Sequence, residues 1–146
     1  MTRINFEFRK KVLEEIPELK KCFQCGTCVS SCYAEKYIGS YSPRKKILGA
    51  LYGDKEVLSK ELWKCATCNA CDERCPQGVN PYEVLTKLKN IAVRENICPE
   101  SFREKSDIII ETGYAFLIDE KVNNNRKALG LKEIKPKESL RFVKNG

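Results

Sequence analysis

Apolar residues recur along this chain at helical spacing. Phe8, Val12, Ile16 and Leu19 stand at i, i+4, i+8 and i+11 with charged residues between them, which predicts an amphipathic helix over 5–20. Pro17 falls inside that stretch and should kink it or end it early. Ser42-Pro43 is a strong helix start, an N-cap hydroxyl followed by proline at N1. Ile47, Leu48 and Leu51 supply the apolar face of that helix, and Gly53-Asp54 closes it. A short further helix is expected over about 54–63, carrying Val57, Leu58, Leu62 and Trp63. Asn80-Pro81 repeats the cap-and-proline signal and opens a helix to about Asn96, with Val84, Leu85, Leu88, Ile91 and Ala92 on one face. From Pro99 onward, Ile108–Ile110 and Tyr114–Ile118 suggest a helix interrupted or ended near Gly113, with a short helical piece near Arg126–Leu129 beyond it. The expected fold class is mostly α.

Two cysteine runs punctuate the helices. Cys65, Cys68, Cys71 and Cys75, followed by Pro76, have the spacing C-x2-C-x2-C-x3-C-P, by which bacterial-type ferredoxins hold [4Fe–4S] clusters. Cys22, Cys25, Cys28 and Cys32 repeat that spacing 43 residues upstream, and Lys21 matches Lys64. Each run is followed by a capped helix, so the chain carries an internal duplication, although the helix starts are offset by 38 residues instead of 43. Structural zinc also uses paired C-x2-C motifs, but it needs four ligands in two pairs, not a third and fourth cysteine repeated in both runs. Two [4Fe–4S] clusters are therefore expected. By the two-cluster rule, one takes Cys22, Cys25, Cys28 and Cys75, and the other takes Cys65, Cys68, Cys71 and Cys32. Gly26, between the second and third ligands, is where backbone must pass close to a cluster.

The formal charge of +7 would ordinarily suggest an acidic partner. Two oxidised clusters with their thiolates carry about −2 each, which brings the loaded protein to roughly +3. Much of the basic excess thus offsets buried negative charge, and no base-reading motif accompanies it, so nucleic acid is not an expected partner. With 42% hydrophobic and 32% charged residues, 146 residues suffice for one folded domain. No apolar run reaches 18 residues, so no membrane span is expected. The first residues mix charge and aromatics where a secretion signal needs an apolar run, which points to a cytoplasmic location. Thiols in that reducing compartment serve metal sites rather than disulfides.

The linking segments distinguish kinds of ferredoxin. Small βαβ ferredoxins separate their cluster loops by short strands, whereas the 32 residues between Cys32 and Cys65 read as helices. The expectation is an α-helical ferredoxin-like domain over 1–120, with two cluster-binding loops and flanking helices. A basic tail follows over 121–146. Positions 126–146 alone hold seven Lys or Arg against two Glu, a net +5. Leu131, Ile134, Leu140, Phe142 and Val143 are spaced through this tail and suit contact with a partner protein.

Cys22-Phe-Gln-Cys-Gly-Thr-Cys28, Ser42-Pro-Arg-Lys-Lys-Ile47, Leu62 to Val79 and Asn124-Asn-Arg-Lys-Ala-Leu-Gly-Leu131 together resemble the iron–sulfur C subunit of heterodisulfide reductase (HdrC). The resemblance covers roughly residues 20–131; Tyr33 departs from it, standing where the family often has proline. The same helical two-cluster module occurs in iron–sulfur subunits of glycolate oxidase and fumarate reductase type enzymes. The resemblance implies an electron-relay subunit of a cytosolic complex that serves methanogenesis. A flavin iron–sulfur protein resembling the A subunit of heterodisulfide reductase would deliver electrons. A catalytic protein resembling its B subunit, with CCG motifs, would use them to reduce the CoM-S-S-CoB heterodisulfide. A hydrogenase or formate dehydrogenase would join the larger complex. A stand-alone soluble ferredoxin, or the iron–sulfur subunit of another flavoprotein dehydrogenase, are the alternatives.

No catalytic residue is expected in this chain itself. It has no histidine and no adjacent cysteine pair, and no acid–base or nucleophile arrangement is legible. The ninth cysteine, Cys98, reads as an inert packed thiol, and Trp63 as core packing beside the second loop. Lys21 and Lys64 read as solvated lysines beside the loops.

Overall fold

The computed structural model describes residues 4–135, which form helices and loops with no strand among them. Of these described residues, those up to Cys98 make one compact unit and those from Pro99 another.

In the first unit, α1 (Phe6–Glu15) starts where the Asn5 side chain accepts the Phe8 N–H at 2.8 Å. Pro17 then does what its ring dictates. The α-helix stops at Glu15 and the chain tightens into a 3-10 turn over Pro17–Lys21, which leads straight into Cys22. The first cysteine loop contains α2 (Thr27–Ser30) and is followed by α3 (Tyr33–Ile38). Next, α4 (Pro43–Tyr52) starts on the expected Ser42 cap and ends at Gly53. The expected helix over 54–63 is instead two 3-10 turns, Lys55–Val57 and Lys60–Lys64. Asp54 caps the first through the Glu56 N–H, Ser59 between the turns is extended, and together they bury Val57, Leu58 and Leu62. The second cysteine loop contains α5 (Ala70–Glu73) and leads to α6 (Pro81–Arg94).

One apolar cluster holds these pieces together. Phe8, Val12, Ile16 and Leu19 from the N-terminal segment meet Ile47 and Ala50 of α4, Leu62, and Val84, Leu85, Leu88, Ile91 and Ala92 of α6. The close packing of α1 on α4 requires glycine at position 53. Its φ is +79°, and a Cβ there would stand 2.5 Å from the Asn5 carbonyl oxygen. In return the Asn5 N–H donates to the Gly53 carbonyl at 3.0 Å.

The second unit contains α7 (Glu100–Thr112), stopped as expected by Gly113 in the left-handed conformation, and α8 (Glu120–Ala128). The last helix is longer than the piece expected near 126–129, because the Asp119 carboxylate caps it by accepting the Val122 N–H. The chain then folds back on it. Asn123 exchanges two hydrogen bonds with the Ile134 backbone, at 3.0 and 3.1 Å, and Arg126 donates to the Lys132 carbonyl. Leu140, Phe142 and Val143 lie outside the described residues.

Candidate metal centre

The two loops are copies in backbone conformation as well as in sequence. The residues either side of the middle cysteine are left-handed in both: Gln24 (φ 63°) and Gly26 (φ 88°) in the first, Thr67 (φ 52°) and Asn69 (φ 61°) in the second. Each then enters a one-turn helix at the same point of the repeat, α2 and α5. Left-handed conformation suits Gly and Asn, but for β-branched Thr67 it is strained, and strain of this kind persists only where the surroundings impose it. Left-handed residues interleaved in a tight loop turn successive N–H groups toward a common concavity, an arrangement that suits a bound anion. The Gly26 conformation, not crowding by other protein atoms, is what demands glycine there, since no protein atom lies within 4 Å of its Cβ position.

The eight cysteines surround two small cavities. One is lined by Cys22, Cys25, Cys28 and Cys75. The other is lined by Cys32, Cys65, Cys68 and Cys71. In each, three cysteines come from one loop and the fourth from the other. The thiols ring a space rather than converging on a point: among the described residues no three Cys, His, Asp or Glu side chains lie close enough together to hold a single ion. Four thiols round a small, largely apolar cavity are the donor set and shape that an iron–sulfide cube requires, so the residues fit that group.

The walls follow the second offset in the sequence. Arg44 and Ile47 of α4, with Val79 and Pro81, close the first cavity. Tyr82 and Leu85 of α6, with Tyr41 and Pro43, close the second. Each pair differs by 38 residues, the spacing of the two helix starts. The wall is therefore duplicated in position while its chemistry diverges. Arg44 brings a cation to the first cavity and donates to the Gln24 side chain, whose amide in turn donates to Cys22 Sγ at 3.2 Å. Tyr41 brings a phenol to the second. It is fully buried beside Cys65, and its hydroxyl meets no oxygen or nitrogen partner among the described residues. Burial drives its pKa well above the ordinary tyrosine value, and the neighbouring Cys65 adds to the effect.

Thiol environments differ along each loop. Cys25 and Cys68, the middle cysteines, are exposed, whereas Cys71 is buried. Burial pushes Cys28 up to about 11 and Cys71 up to about 12, and neighbouring thiols push the same way. A hydrogen bond from Thr27 holds Cys25 below the usual thiol value. The fourth cysteines each accept a backbone N–H from just downstream: Cys32 from Glu35 and Cys75 from Val79, both at 3.4 Å. Asp72 sits beside Cys71, its Oδ1 3.8 Å from that sulfur, and also accepts the Tyr82 N–H. It thereby caps α6, a role the sequence assigned to Asn80; Asn80 is left-handed and its side chain caps nothing. Burial lifts the Asp72 carboxyl above its ordinary value. Lys64, expected to be solvated beside the second loop, is engaged with Ser40 and Glu61. Cys98 lines neither cavity.

Residues 18–79 match the family described as 4Fe-4S dicluster domain. The chain is 35% identical to the iron-sulfur C subunit of CoB--CoM heterodisulfide reductase from Methanopyrus kandleri, over 84% of this chain and 65% of that protein. It is 35% identical to the C2 subunit of H(2)/formate:CoB-CoM heterodisulfide,ferredoxin reductase from Methanococcus maripaludis, over 84% of this chain and 67% of the relative. It is also 35% identical to the C subunit of ferredoxin/F(420)H(2)-dependent CoB-CoM heterodisulfide reductase from Methanosarcina acetivorans, over 88% and 80% respectively. The chain thus spans just under two thirds of the first of these and more of the others. Two [4Fe–4S] clusters and an electron-transfer role follow from the dicluster match and the cysteine set. No helix among the described residues is long and apolar enough to cross a membrane.

Proposed function

This chain belongs to the family of heterodisulfide reductase iron–sulfur C subunits, and we propose that it is the electron relay of a cytosolic heterodisulfide reductase complex. In this reading Cys22, Cys25, Cys28 and Cys75 hold one cluster, and Cys65, Cys68, Cys71 and Cys32 hold the other. The clusters supply one-electron carriage. The Gln24 amide and the Glu35 and Val79 N–H groups donate to ligand sulfurs and thereby favour the more negative, reduced state. The apolar core keeps water from the inner faces of both sites, while exposed Cys25 and Cys68 leave an edge of each open to a partner. The two sites meet where α2 packs on α5, close enough for Cys28 and Cys71 to feel each other's charge.

The observation that carries this reading is the crossing of the fourth cysteines. Lending Cys32 to one site and Cys75 to the other ties both cavities to one core, which suits passing an electron between them. With no histidine and no adjacent cysteine pair, this chain leaves the disulfide chemistry to another protein of the complex. That protein resembles the B subunit of the reductase, carries CCG motifs and acts on the CoM-S-S-CoB heterodisulfide. A flavin protein resembling the A subunit supplies the electrons. A hydrogenase or formate dehydrogenase fits beside them, in keeping with the name of the Methanococcus relative.

Native purification tests the proposal. The chain should co-purify with a flavin protein and a CCG-motif protein, and its reduced clusters should be reoxidised by the heterodisulfide only while the CCG-motif protein is present. Isolation as a free monomer that exchanges electrons with unrelated enzymes would favour a soluble ferredoxin. Co-purification with a different flavoprotein dehydrogenase would place it in another complex.

A further inference from the structure

The two cavities differ at a matched pair of wall positions beside the helix starts. Val79 stands directly before Asn80-Pro81 and lines the first cavity; Tyr41 stands directly before Ser42-Pro43 and lines the second. The duplication places an inert side chain at one and a hydrogen-bond donor at the other. The Tyr41 ring is 0% exposed, and its hydroxyl meets no oxygen or nitrogen acceptor among the described residues. A buried hydroxyl without a partner is costly, and such groups in native folds meet a ligand or water that completes them. Tyr41 and Cys65 line the same cavity, and the Cys65 sulfur is the thiol that interacts most with the phenol.

We propose that, in the loaded protein, the Tyr41 hydroxyl donates a hydrogen bond to the Cys65 thiolate and raises the reduction potential of the second cluster alone. The inference rests on the ligand assignment above, with Cys65 in the set with Cys68, Cys71 and Cys32. A donor to a ligand sulfur stabilises the reduced state, which carries one more negative charge. Burial strengthens that effect, because no water competes for the proton or screens it. The Val79 side chain offers the first cluster no hydroxyl; its ligand sulfurs meet the Val79 backbone N–H on Cys75 and the Gln24 amide on Cys22. The duplicated protein thereby holds two cubes of unequal potential, which sets one as the preferred resting place of an electron.

Tyr41→Phe in the full chain with both clusters loaded is the test. The expected result is about eight iron per chain, as in the parent, and a downward shift in the potential of one cluster. The shift should be about tenfold in the reduction equilibrium, or about 59 mV for a one-electron couple. The signal that moves should be the one that Cys65→Ser also perturbs. In the parent protein, the same signal should show coupling to a solvent-exchangeable proton besides that of the Glu35 N–H on Cys32, and Tyr41→Phe should lack that coupling. Full iron with both potentials unmoved, a shift in the cluster tied to Cys22, or no such proton in the parent overturns the role of Tyr41 while leaving the ligand assignment standing. If Cys65→Ser and Cys22→Ser perturb the same cluster, the assignment itself fails and this inference goes with it.

Discussion

Replacing Cys75 separates the crossed arrangement from a sequential one, because sequence order groups it with Cys65, Cys68 and Cys71 whereas the fold places it with Cys22, Cys25 and Cys28. The substitution must first leave the fold standing. Cys75 is half-buried, packs on the core, and accepts the Val79 N–H at 3.4 Å. Serine keeps an acceptor at that point. Alanine leaves the N–H without one and costs about 1–2 kcal/mol, a modest part of the roughly 5–15 kcal/mol of a typical domain. Either variant should therefore fold, and Cys75→Ser is the cleaner. The parent should carry about eight iron and eight sulfide. Cys75→Ser should keep about four iron in the cavity whose four thiols are intact, with partial loss confined to the other. Electron paramagnetic resonance supplies the identity: Cys75→Ser and Cys22→Ser should alter one signal, and Cys32→Ser and Cys65→Ser the other. If Cys75→Ser and Cys65→Ser alter the same signal, the crossing is wrong.

Three further outcomes test the surroundings of the sites. Gly53→Ala should lower stability by about 2–5 kcal/mol, combining left-handed strain with the 2.5 Å approach to the Asn5 carbonyl, read as a fall in the thermal midpoint of the loaded chain. Asp72→Asn should keep the acceptor for the Tyr82 N–H while removing a negative charge beside Cys71; a redox titration should show one cluster raised by roughly 20–60 mV and the other unchanged. In the cluster-free chain, Cys28 and Cys71 are raised from 9.0 to about 11 and about 12, so their neutral forms favour the folded state below pH 9 and that contribution is lost as pH rises through 11–12. Unfolding midpoints should be level from pH 7 to about 9 and then decline, and a rise over the upper range would contradict the burial of these thiols.

What the sequence made legible was whatever is written in short-range signals. Proline at 17, the Ser42-Pro43 start and Gly113 each act through their own backbone constraints, and α1, α4 and α7 stop or start there. The cysteine spacing is equally local, and the grouping of eight thiols round two cavities follows it. What escaped depends on partners brought from elsewhere in the chain. Asn80 carries the composition of a cap, yet Asp72, eight residues earlier, supplies the acceptor once the second loop folds over the start of α6. The span 54–63 has enough apolar residues for a helix, but Ser59 is extended in its middle and the span folds as two turns that share the core. Thr67 gave no warning of its left-handed backbone, because its residue type disfavours that conformation; only alignment with Gln24 in the other loop exposes it.

The duplication has two registers, and they bear on different parts of the function. The 43-residue offset fixes the loops, their left-handed residues and the one-turn helices, so each site presents its thiols from the same backbone conformation. The 38-residue offset fixes the walls, and there the pairs Arg44 with Tyr82 and Val79 with Tyr41 have diverged. A relay needs both properties. Equivalent loops let either cavity take the same cube, while unequal walls keep the two from being energetically interchangeable. Arg44 acts as a charge near the first cavity, linked to Cys22 through Gln24, and Tyr41 as a dipole inside the second. A charge near the surface is screened by salt and an enclosed dipole is not. Varying ionic strength should therefore move the potential of the cluster beside Arg44 more than that of the cluster beside Tyr41, and equal movement of both would show that the walls do not set the difference.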